Sequence, residues 1–463
     1  MRGRLSVLYF LQFAIWGCYL SCFGQLLGAG GLGKDIQWFY AAVGIVSLIT
    51  PALMGHLADR FFPSLRLLGL CHFCASVIMM GAWIYASSRD HYSFWPFFII
   101  YLGFLAFYMP TMALSNTTTF ALLKSRGLRP VDQFPIIRVW GTLGFVAAMW
   151  FVNSAFLYNG EFGFTLNDQN PASPFRFQYT PMQLFASSII GLITALYTFT
   201  LPLSPVPHPG EASSISDIFG FKAFKLFKIS SVRTFLIFAV FTGVCLQISN
   251  GYAIPFINHF MAFEKYVGSL AAGNATMLFS LSQISEAAFI LVTGIAMKRM
   301  GFKWVIFCAL SAWCLRFLFL GLGDPGEGIW WLVFSMIIYG VAFNFFNIAG
   351  HIYMDQKSDH TTKGFGQGLL MMMSNGIGAT GGMIAAGAII NHYCQWEMVP
   401  SPSTSGMMRL FMGDWFMPWI IFAAYALTLA LLFALFFRSS KAGRTVSQGS
   451  EQPDTASMRA VSS

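Results

Sequence analysis

Apolar runs of about 20 residues recur along almost the whole chain, and each is long enough to cross a hydrocarbon core of about 30 Å. By that spacing, spans are expected at about 6–28, 37–58, 65–87, 95–118, 136–157, 181–203, 234–258, 275–297, 303–322, 329–353, 366–390 and 415–437. No soluble fold tolerates this pattern. Of the 463 residues, 56% are hydrophobic and only 10% charged, and the mean hydropathy is +0.63, which leaves too little polar surface for solution. Barrel strands are excluded as well, since they read as ten-residue alternations. The expected fold class is an all-α polytopic membrane protein with 12 transmembrane helices. The first span follows MRGRLS directly and is read as helix 1, with no cleavable leader.

Charge orders these spans across the membrane. Of the 27 Lys and Arg residues, Arg138 and Arg316 fall inside spans, and five (Lys34, Arg89, Arg176, Lys265, Arg409) fall on one set of connections. The remaining twenty lie on the other set, a positive-inside bias that puts both termini in the cytoplasm. The net charge of +9 therefore reflects topology and attraction to an anionic lipid bilayer, and no nucleic-acid partner is expected. Cys71 and Cys74 have metal-like spacing in CHFC, but they sit in an apolar run without a second ligand pair, so no metal is expected.

The longest interior connection, about 204–233, divides the spans six and six. The expected organisation is an N-terminal bundle (1–203), a cytoplasmic linker (204–233), a C-terminal bundle (234–438) and a disordered cytoplasmic tail (439–463). The end of the linker, DIFGFKAFKLFK, has the pattern of a short basic amphipathic helix. The two halves echo each other: GHLADRFFPSLR between spans 2 and 3 answers AMKRMGFK between spans 8 and 9, and spans 5 and 11 are both glycine-rich. Two related halves suggest a rocker-type carrier with its site at the midplane.

Ionisable groups deep in spans are costly and point to function. Of the 18 acidic residues only Glu286 lies well inside a span. A lone carboxylate in low dielectric takes up and releases a proton near neutral pH, as a proton-coupled carrier requires; the alternative is a structural hydrogen bond or ion pair. Gln283 shares its helix face. In span 7, Gln247 and Asn250 are also three apart, suited either to a polar solute or to interhelical bonding, and Gly251 and Pro255 are expected to loosen the helix. In span 10, Tyr339, Phe343, Phe346 and Asn347 form a stripe with Asn344 beside it, fit either for a flat heterocycle or for packing. Arg138, Thr142 and Phe145 share one face of span 5. Arg138 is expected about one turn from the cytoplasmic end, where it either snorkels or joins a site. Arg316 of span 9 has no assigned role at this level.

GHLADR resembles the signature loop of the major facilitator superfamily, in which Asp59 and Arg60 would act as a conformational switch between two pseudo-symmetric six-helix bundles. Across nearly the whole chain the sequence resembles the nucleoside:proton symporter family of that superfamily, carried by FLQFAIWGCYL, TPALMGHLADR, YMPTMALSNT, FPIIRVWGTLGF, LQISN, SLSQISEAAFIL, LRFLFLGLGDP and YGVAFNFFNIAG. The resemblance implies a nucleoside pocket of Arg138, Thr142, Phe145, Gln247, Asn250, Gln283, Glu286, Tyr339 and Phe343. It also implies an acid where this chain has Asn344, so proton coupling is expected to rest on Glu286. The implied function is proton-coupled nucleoside uptake by alternating access, with no enzymatic chemistry and no cofactor, by a monomer in the cell inner membrane. A sugar:proton symporter and a non-transporting membrane sensor on the same scaffold are the alternatives.

Overall fold

A computed structural model describes residues 1–60, 62–202, 221–357, 363–402 and 407–437. Its frame is helical. In chain order the long helices are α1 (Arg2–Ala29, with a break after Tyr19), α2 (Ile36–Arg60), α3 (Ser64–Ser87), α4 (Phe94–Lys124), α5 (Pro130–Ser154), α6 (Met182–Thr198) and α7 (Ser230–His259). Ala275–Leu322 turns at Gly301, whose φ of 75° is open to glycine; the helix before it is α8 and the helix after it α9. Then come α10 (Ile329–Lys357), α11 (Lys363–Met371, continuing to Tyr393) and α12 (Phe416–Phe436). Nine helices among the described residues are long and apolar enough to cross a membrane, and Met182–Thr198 and Ala275–Ile290 are shorter apolar helices. In hydrocarbon every backbone donor needs an internal partner, which long apolar runs satisfy as helix. The outer surface carries the corresponding belt: Ile99, Leu196 and Leu435 are more than 60% exposed, as are Trp95 and Trp330 near helix starts.

Two connections hold antiparallel hairpins: β1 (Ala155–Tyr158) with β2 (Glu161–Phe164), and β3 (Cys394–Pro400) with β4 (Met407–Gly413). The first turns on Asn159 and Gly160, both at positive φ (51° and 81°), as an Asn-Gly turn favours. Helix α5 starts earlier than expected, so Arg138 lies more than two turns inside it. Helix α7 runs unbroken through Gly251 and Pro255; a Cβ on Gly251 would strike Met383 of α11, so that glycine serves close packing. Phe221–Lys228 is helical, as the basic segment predicted. The remainder of the linker and the tail lie outside the described residues. So do the side chains of Asp59 and Arg60, which end α2, and with them the expected switch.

Glycine crossings set the helix packing in both halves. In the first, α1 crosses α5 so closely that a Cβ on Gly17 would run into the Phe145 carbonyl, and one on Gly144 into the Phe10 carbonyl. In the second, α7 crosses α11 in the same manner, Gly243 against the Ser374 carbonyl and Gly378 against that of Val240. Near this crossing α11 carries a π-helical turn, Met372–Gly378.

The two sets of helices, α1–α6 and α7–α12, meet mainly on the face that carries the hairpins. Arg176, 0% exposed, reaches across it: Nη1 donates to Asn274 Oδ1 at 2.7 Å and Nη2 to the Gly273 carbonyl at 2.7 Å. Asn153 of α5 donates to Asn274 Oδ1 at 2.7 Å, and its own Oδ1 accepts from the Met277 amide in the first turn of α8. The Trp396 ring of β3 fills the space above Gly28 and Gly33, and Gln25 donates to the Arg409 carbonyl at 3.1 Å. Among the described residues, all hydrogen bonds that link the two sets lie in the half of the structure nearest this face.

Gly144→Ala is expected to lower the melting temperature of the detergent-solubilised protein by several degrees, because α1 and α5 must separate to admit the methyl group. Gly81→Ala, with nothing within 4 Å, is the control and should leave it unchanged.

Candidate functional site

The site is built between α5 and α8, which pack together. Arg138 enters from α5, held with its guanidinium carbon 4.1 Å from the centroid of the Phe13 ring of α1, a cation–π contact that steadies a long side chain. Gly141, one turn along, leaves the room: a Cβ there would press on Phe13 and on Arg138 itself. Glu286 enters from α8. The two charges are near enough to act on each other, yet no ion pair forms between them. Both are partly exposed, like Gln283, Thr142, Asn250 and Phe343, within an otherwise buried bundle.

Helix α10 supplies the aromatic wall. Tyr339 and Phe343 stack with ring centroids 5.6 Å apart at 9°, as residues four apart on one face can. Tyr339 lies beside Gln283 and feels the Glu286 charge. Helices α8 and α10 approach closely because Gly340 lies on the Ser285 backbone, and the Ser285 hydroxyl donates to the Ile337 carbonyl.

The expected residues fare differently. Arg138, Gln283, Glu286, Tyr339, Phe343 and Asn344 come together. Asn344 is buried and already engaged, donating from Nδ2 to the Glu286 backbone carbonyl at 2.6 Å; it ties the two helices rather than lining the opening. Phe145 is 7% exposed and follows Thr142 along the Arg138 face. Gln247 and Asn250 sit on α7 on either side of Ser249, and Leu246 and Phe343 line one small cavity. Among the described residues, the Glu286 carboxylate and the side chains of Thr142, Gln247 and Asn250 have no hydrogen-bond partner in the protein. Polar groups left so within a bundle are available to a solute.

Comparison with known proteins gives the family. The sequence matches the nucleoside H+ symporter family over residues 1–442. The chain belongs to that family. It is 34% identical to the xanthosine permease of Escherichia coli over 439 residues, 94% of this chain and 95% of the relative. It is 33% identical to the nucleoside permease NupG of the same organism, covering 95% and 96% of the two chains. A crystal structure of the nucleoside transporter NupG superposes with a TM-score of 0.79 at 32% identity, spanning 95% of this chain and 99% of that one. A D-xylose–proton symporter, at 13% identity and a TM-score of 0.62, shares the fold. The fold is therefore that of the major facilitator superfamily, and the protein is a multi-pass membrane transporter, not an enzyme.

Sequence reasoning missed Arg176, Asn153 and Asn274, because a loop arginine and two asparagines at helix ends carry no local signal of their later neighbours. The first hairpin does have a local signal, FLYNGEFGF, where Asn-Gly separates two apolar runs.

Asn344→Asp is expected to test the tie to α8. An ionised carboxylate cannot donate to the Glu286 carbonyl and a protonated one can, so uptake relative to the parent should fall further at mildly alkaline than at mildly acidic pH.

Proposed function

We propose that this protein imports nucleosides together with protons across the cell inner membrane, by alternating access between two six-helix bundles (1–203 and 234–438) that make twelve crossings. The observation that carries the reading is Glu286, the one carboxylate deep in a span. It lies at the junction of the bundles opposite Arg138, unpaired, beside a stacked aromatic pair. Base rings stack on Tyr339 and Phe343, while Gln283, Gln247, Asn250 and Thr142 supply donors and acceptors for ribose and base. Arg138 is held near Glu286 but apart from it, so substrate enters between a fixed cation and an acid that gains or loses a proton. Both termini face the cytoplasm and the carrier works as a monomer.

The hairpin face is then the external one, and its clasps around Arg176 and Trp396 make this the inward-facing state. Protonated Glu286 crosses with substrate and is discharged inside. One charge moving down the membrane potential contributes about 2.3 kcal/mol per 100 mV, enough for accumulation of the order of tens of fold.

Glu286→Gln is expected to abolish accumulation of labelled uridine driven by an imposed pH gradient in proteoliposomes, while exchange of uridine for uridine persists. Retained pH-driven accumulation would exclude Glu286 as the proton carrier. Arg176→Ala should release the outer clasp. On a cysteine-free background, a cysteine at Ser280, which accepts from Trp150 Nε1 at 2.8 Å in the closed interface, should then react several-fold faster with a membrane-impermeant maleimide added outside.

A further inference from the structure

Arg316 of α9 is 0% exposed and lies among four helices. Its Nε and Nη2 both donate to Ser249 Oγ of α7, at 3.0 and 2.7 Å. Its Nη1 donates to Ser282 Oγ of α8 at 3.2 Å and to the Ser335 carbonyl of α10 at 2.7 Å. The Ser335 hydroxyl returns a bond to the Arg316 carbonyl at 3.0 Å. No carboxylate pairs with the guanidinium among the described residues; it lies instead 4.6 Å from the Tyr339 ring centroid and 5.7 Å from that of Phe279.

An unpaired cation at this depth carries a desolvation cost that an aliphatic residue of similar size would avoid. What distinguishes the arginine is where its partners lie. Ser249 is adjacent to Asn250 and two residues from Gln247. Ser282 is adjacent to Gln283 and one turn from Glu286. Ser335 is one turn before Tyr339. One planar fork thus reaches the three helices that present the amides, the acid and the aromatic platform. Tyr339 itself is boxed in, by the guanidinium, by Trp313 edge-on at 5.8 Å and 89°, and by Phe343 stacked beside it.

We propose that Arg316 is a positioning residue for substrate recognition: without touching the solute, it fixes the spacing of α7, α8 and α10 around the pocket and the plane of the Tyr339 ring on which the base stacks. The inference rests on the nucleoside pocket proposed above. Lysine keeps the charge but cannot replace the fork, since a point ammonium cannot hold two serine hydroxyls and a carbonyl in one plane.

The test measures uridine binding and uptake per folded carrier for Arg316→Lys and Arg316→Gln. The expected result is a KM and Kd raised about tenfold or more with Vmax within about threefold of the parent, since the groups that bind are displaced while the transport cycle is intact. In a Tyr339→Ala background, Arg316→Gln should cost less than twofold further, because the two act through one surface. Ser249→Ala and Ser282→Ala, which remove single hydroxyls, should each raise Kd several-fold and serve if the arginine variants do not fold. Unchanged Kd in the serine variants, or a fall in Vmax alone, would overturn the assignment. If the parent binds no nucleoside, the pocket reading itself fails, whereas a binding parent with unaffected variants removes only the role of Arg316.

Discussion

Hydrocarbon has no water to offer a polar group, and most of this architecture follows from that. Backbone amides must bond within their own segment, so the apolar runs become helices. Side-chain polarity inside them must be paired, capped or put to use. Arg316 is satisfied by two hydroxyls and a carbonyl from three neighbouring helices, and Arg138 rests on the face of Phe13. The Glu286 carboxylate, the one acid deep in a span, has no hydrogen bond or ion pair within 4.0 Å among the described residues.

Glycine sets how near the helices approach, and the approach sets which side chains meet. The α1–α5 crossing at Gly17 and Gly144 brings Phe13 under Arg138. The α8–α10 approach at Gly340 brings Asn344 to the backbone of Glu286. The α7–α11 crossing repeats the first in the other half of the chain. A glycine stripe by itself is a packing feature. Here its value lies in the side chains that each crossing brings together.

Much of the site is legible in the sequence, because its residues obey helical periodicity. Spacing alone puts Glu286 with Gln283, Tyr339 with Phe343, and Arg138 with Thr142 and Phe145, each set on a shared face. What spacing cannot show is engagement. Asn344 looks like a pocket amide from sequence, but it spends its donor on the Glu286 carbonyl. Arg138 looks like a residue near a helix end, because Pro130 and Pro135 disguise two helical turns at the start of α5. Arg316 has no account at the level of sequence, since its partners lie 67, 34 and 19 residues away along the chain.

Composition, run length and charge asymmetry determined by themselves that the chain is a polytopic helical bundle and on which helix faces its rare polar residues stand. These are properties of one segment against its solvent, and a single segment contains them. Only the tertiary structure decided which faces meet: that Arg138 and Glu286 oppose each other without pairing, that Arg176 and Trp396 link the two sets of helices at one end, and that Arg316 bonds to three neighbouring helices. Those outcomes depend on close approach between segments far apart in sequence, where tight crossings at glycine choose the neighbours, and no local pattern encodes them.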